Sequence, residues 1–173
     1  MTSPRTTAGS PSTHAHDAGL LVLRLVLGPT MAVHGTQKLL GWFDGPGLDG
    51  TGQFFSASGY PSGRTMALVA GLTETLGGIG LLLGLLTPLA GAAVLGTMIN
   101  AVAVKWGGGF FAPKGVEYEL LLIAAATALT LAGPGRYAAD RLLPGLRAHR
   151  LGHGAAAVVL GVLAAVLVLL ARD

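Results

Sequence analysis

Five apolar stretches dictate what this chain can become. They fall at residues 18–40, 66–86, 89–105, 117–133 and 154–171. A hydrocarbon core of ~30 Å is crossed by ~20 largely apolar helical residues. Inside lipid every backbone N–H and C=O must be satisfied within the protein, which leaves helices as the form these stretches take. The expected fold is therefore all-α: a transmembrane four-helix bundle over residues 18–143 with an appended fifth transmembrane helix at 154–173.

Composition supports this. Charged residues make up 11% of the chain, against ~25% in an ordinary soluble domain. Mean hydropathy is +0.65. The eleven Lys and Arg residues lie at segment ends, with Arg136, Arg141, Arg147 and Arg150 in one short connection. That distribution follows the positive-inside rule and not a phosphate-tracking stripe, so a nucleic-acid partner is excluded. It puts residues 144–153 in a basic cytoplasmic linker and the N-terminus in the cytoplasm. Residues 1–17, rich in Ser, Thr, Pro and Ala, read as a disordered cytoplasmic tail. The chain has no cysteine, which excludes disulfides and thiolate-bound clusters within it.

The spans are punctuated by breakers and glycines. Pro29 lies mid-span and predicts a kink in the first helix. Gly133-Pro134-Gly135 ends the fourth. Gly80 and Gly84 match a small-xxx-small pattern for close helix contact.

Ionisable groups within a span cost ~2.5–3.5 kcal/mol each on insertion scales, so they face partners or cavities. His34 lies roughly 9 Å below the outer end of the first span and Glu74 roughly 10 Å below that of the second, at ~1.5 Å per residue. Asn100 is slightly shallower in the third. Lys38 is one turn from His34 on the same face, and Gln37 is within reach of it. Lys105 closes the third span, while Glu117, Tyr118 and Glu119 open the fourth. All four helices thus bring polar groups to one outer-leaflet layer. It serves either a ligand- or proton-handling pocket or polar bridging between helices. Arg24, near the inner leaflet, is expected to snorkel or to meet Asp17 or Asp140.

The outer connections carry Trp42, Phe43, Phe54, Phe55, Trp106, Phe110 and Phe111 among glycines. They suit an interfacial aromatic belt or, with Tyr118, the mouth of a pocket for an aromatic head group. Only His34 lies within a span, so neither a bis-histidine haem nor a metal site is expected.

These motifs together resemble the DoxX family of bacterial membrane proteins. The resemblance rests on Arg24-Leu25, His34-Gly35-Thr36-Gln37-Lys38-Leu39, Gly52-Gln53-Phe54-Phe55 and Ala70-Gly71-Leu72-Thr73-Glu74 with Gly77-Gly78. It continues in Gly109-Phe110-Phe111, Glu117-Tyr118-Glu119-Leu120 and Gly133-Pro134-Gly135-Arg136 with Asp140. It implies a multi-pass protein of the bacterial plasma membrane, a subunit of or partner to quinone-linked or sulfur-linked oxidoreductases. It also implies polar positions at His34, Gln37, Lys38, Glu74, Glu117 and Glu119. Two features depart from the family pattern: the fifth span, and Lys105 where many relatives carry a histidine.

Two functions follow as expectations. In the first, the chain is a membrane subunit of a redox complex that binds a quinone, with no covalently held cofactor, beside a protein partner carrying the redox group. In the second, it is a non-enzymatic scaffold or anchor for soluble oxidative-stress or sulfur-metabolism enzymes. A solute or proton pathway fits less well, because polar residues thin out toward the cytoplasmic half.

Overall fold

The computed structural model describes residues 13–146 and 148–173, and its regular elements there are all helical. They are α1 (Thr13–Leu40), α2 (Gly47–Ala57), α3 (Gly63–Leu83), α4 (Thr87–Lys105), α5 (Glu117–Ala132) and α6 (Leu151–Leu170), with short 3-10 turns at Trp106–Gly108 and Ala139–Leu142. The expectation of a disordered tail lies outside the described residues for 1–12. Residues 13–17 belong to α1.

Helices α1, α3, α6 and α4 with its 3-10 extension are long and apolar enough to cross a membrane. The fourth expected span is the 16-residue α5, about 24 Å long. α1 stays helical through Pro29. α1 packs on α3, α3 on α4, α4 on α5, and α5 closes back on α1. α6 lies outside this ring against α4 and α5. Leu27, Met31, Leu81, Val94, Leu95, Met98, Ala126 and Leu129 fill the centre, while Val22, Leu76, Leu121, Leu163 and Leu167 point outward. Outward Leu and Val suit lipid, since hydrocarbon imposes no penalty on them.

Glycine sets the closest contact, between α1 and α3. A methyl group on Gly28 would overlap the Gly78 carbonyl, and one on Gly78 the Gly28 carbonyl and the Ala32 amide. A turn pair further along, Gly35 meets Thr75 and the Gly71 carbonyl in the same way. Both pairs are seven residues apart, so they lie on one seam of each helix. The Gly80/Gly84 pattern plays a different part. Gly80 abuts Ala90, whereas Gly84 ends α3 in the left-handed region at φ 66°.

At that end Arg24 does not snorkel. It is 1% exposed and donates to four backbone carbonyls: Leu81 (2.7 Å), Leu82 (2.9 Å), Pro134 (2.9 Å) and Tyr137 (2.8 Å). Leu81 and Leu82 lie at the C-terminus of α3, where a helix leaves carbonyls open and favours a cation. Asp140 accepts from the Leu86 and Thr87 amides at 2.7 and 3.2 Å. It thereby caps α4 from a distant part of the chain. Leu86 holds φ 49°, a costly geometry for a branched side chain, and the Asp140 carboxylate fixes it. Asp17 accepts instead from the Arg136 amide.

Candidate functional site

Three helices place the first half of the site. His34 and Lys38, one turn apart on α1, face α3, and the glycine seam brings that helix close. Lys38 Nζ lies 2.6 Å from Glu74 Oε2 and donates to the His34 carbonyl. Glu74 is 1% exposed, so its charge depends on Lys38 for partnership. The His34 ring meets Tyr118 of α5 edge-on, with Nε2 3.2 Å from the phenolic oxygen. A second ion pair joins α4 to α5, with Lys105 Nζ 2.8 Å from Glu119 Oε1. The polar layer is thus two lysine–glutamate pairs flanking a histidine–tyrosine contact.

These groups border a cavity of about 330 Å³, within the ~300–1,000 Å³ usual for small-molecule sites. The polar part of its lining, here the chamber, comprises His34, Lys38, Glu74, Tyr118, Glu119 and Lys105, and Met98 and Leu122 add apolar lining. The apolar part contributed by α3, α4 and α6, here the arm, comprises Val69, Ala93, Gly96, Ala164, Ala165 and Val168. α6 is therefore a wall of the pocket as well as an appended helix. It can come this close because a methyl on Gly161 would strike the Ala92 carbonyl. Thr73 and Thr97 hydroxyls meet at 3.0 Å where the arm passes α3.

Asn100 Oδ1 accepts from the Tyr60 hydroxyl at 3.1 Å. Tyr60 lies in the α2–α3 connection. Burial pushes its phenol up, and the nearby Arg172 guanidinium works against that shift. Arg172 stands 5.5 Å over the Tyr60 ring and donates to the Ser58 carbonyl, fastening the end of α6 to the pocket's rim. Phe54 and Phe55 line the cavity from α2, a helix within what reads in sequence as an irregular glycine-rich loop.

Several expected site residues lie elsewhere. Gln37 donates to the Phe43 carbonyl and supports the turn after α1. Glu117 accepts from the Ala112 amide and shapes the α4–α5 connection. Trp42, Trp106 and Phe110 are exposed and do not border the cavity. Their position suits the belt better than the mouth. Helical geometry gives the reason. Gln37 stands ~100° around α1 from Lys38, and Glu117 ~200° around α5 from Glu119, at 3.6 residues per turn. Tyr60, Thr73, Thr97 and the α6 wall have no signature of charge or spacing that would have marked them.

Comparison with known proteins agrees with this architecture. No solved structure matches the chain. A protein of Bacillus subtilis (strain 168) carrying the name "Putative oxidoreductase CatD" is 36% identical over 115 residues, covering 66% of this chain and 80% of that protein. The DoxX family model matches residues 19–106, from the first turns of α1 to the end of α4. This segment contains Arg24, the glycine seam, His34, Lys38, Glu74 and Lys105, and the chain belongs to the DoxX family.

Proposed function

We propose that this membrane protein binds a quinone-type ring, or a similar small amphiphile, in the chamber between α1, α3, α4 and α5, as one subunit of a redox complex. The observation that carries the reading is the convergence of Lys38, Glu74, His34 and Tyr118 on one apolar cavity. An apolar pocket with a few convergent polar groups is the usual form of a small-molecule site. Lys38 Nζ and the His34–Tyr118 pair supply donors for a ring carbonyl. Glu74 and His34 are placed to hold or pass its proton. Met98 and Leu122 give the ring an apolar floor, and the arm toward α6 takes the start of an alkyl tail.

In this reading the basic segment around Arg136 and Arg150 supports a cytoplasmic Arg24 end, with the chamber under the outer surface. Electrons then pass between the bound ring and a partner that carries its own redox group. The Bacillus relative's name supports a redox setting.

The test is a thermal-shift titration of the purified protein with short-tailed benzoquinones and naphthoquinones. Concentration-dependent stabilisation that Glu74→Gln abolishes, in a variant with native helicity, supports the proposal. No stabilisation by any member of the panel rejects it. A second reading has its own observation: Lys38–Glu74 and Lys105–Glu119 each join two helices. In that scaffold reading Glu74→Gln lowers the melting temperature, and added quinone changes nothing.

A further inference from the structure

Glu119 has one oxygen left unanswered. Its Oε1 pairs with Lys105, but Oε2 is buried and has no hydrogen-bond partner among the described residues. The residue is 7% exposed and forms part of the chamber wall. Buried polar atoms are nearly always satisfied, and an exception calls for an explanation. A carboxylate paired with a lysine only accepts, so the missing partner is a donor. Lys105 reaches Oε1 and Lys38 reaches Glu74, and neither bonds Oε2. A molecule in the chamber can supply that donor, since Glu119 lines the cavity. The terminal torsion of a glutamate is broad and soft, and Lys105 on its flexible stem can follow Oε1 as Oε2 turns toward such a molecule.

We infer that Glu119 is a specificity residue that accepts a hydrogen bond from a ring hydroxyl of the ligand, so that the chamber prefers a hydroxyaryl ring over the corresponding carbonyl form. This rests on the ring-binding reading above and adds to it which form is held. A ring carbonyl facing Oε2 would set two acceptors against each other. A ring hydroxyl resolves the unpaired oxygen and leaves its own oxygen free to accept from a neighbouring donor such as Lys105. One hydrogen bond to a charged acceptor corresponds to a preference of roughly tenfold or more.

The experiment measures dissociation constants of the full-length protein in detergent for a short-tailed 1,4-benzoquinone and its hydroquinone under anaerobic conditions. The hydroquinone is expected to bind roughly tenfold tighter or more. Glu119→Gln keeps the shape and adds an amide donor, so it should shrink or reverse the ratio. Glu119→Ala, as a second variant, should bring the ratio close to unity. Equal affinity for the two forms in the native protein, or an unchanged ratio in both variants, overturns the inference while ring binding stands. Binding of neither form overturns both.

Discussion

Arg24 and Asp140 seal the two helix ends that meet at the α3–α4 reversal, the guanidinium on the last carbonyls of α3 and the carboxylate on the first amides of α4. Arg24→Met preserves much of the side chain's length but strands four carbonyls. At ~1–3 kcal/mol for each buried group left unsatisfied, it should destabilise the fold by at least ~3 kcal/mol. Asp140→Ala removes a cap and should cost about 1–2 kcal/mol. Reversible unfolding in mixed micelles measures both, and the larger loss is expected for Arg24.

The Lys38–Glu74 pair makes a sharper prediction. Lys38→Met leaves a buried carboxylate without its cation, which should cost roughly 3–5 kcal/mol. Replacing both residues, Lys38→Met with Glu74→Leu, should recover most of that loss, since an apolar pair carries no desolvation penalty. A double-mutant cycle on melting midpoints reads the coupling. Additive losses would show that the two side chains do not depend on each other.

The glycine seam should tolerate no side chain. Gly78→Val drives a branched group into the Gly28 carbonyl and Ala32, with an expected loss of ~1–3 kcal/mol or more from overpacking. It should also pull Lys38 away from Glu74. Gly152→Ala, at the start of α6 with open space around it, is the matching control. It is expected to be neutral or to stabilise by about 0.4–1 kcal/mol.

The α6 wall is tested at Gly161. A Gly161→Leu side chain collides with the Ala92 carbonyl and moves α6 off α4, opening the arm. Ligand-induced stabilisation should fall severalfold while helicity by circular dichroism holds. Unchanged ligand response would separate α6 from the pocket.

Much of this was legible from residue order. The apolar stretches predict every long helix, because membrane-crossing length and charge exclusion act locally. His34, Lys38 and Glu74 stand out because an ionisable group in a span needs a partner. Arg24 follows the same rule, yet a snorkelling side chain and a carbonyl-bound one look alike in sequence. What settles its fate is the return of Pro134 and Tyr137 from over a hundred positions away. α2 escapes notice because Gly47, Gly50 and Gly52 mask its periodicity, and tertiary packing on α3 makes it helical. The seven-residue glycine register is visible only once α1 and α3 are known to be neighbours.

The short α5 has a consequence for the surrounding lipid. Its ~24 Å reach falls some 6 Å short of a ~30 Å hydrocarbon layer. A bilayer beside Leu120 and Leu121 meets such a shortfall by thinning, or the flanking polar residues meet it by snorkelling. Thinning there would bring the head-group region and its water closer to Tyr118, at the first turn of α5, than a full-thickness bilayer does.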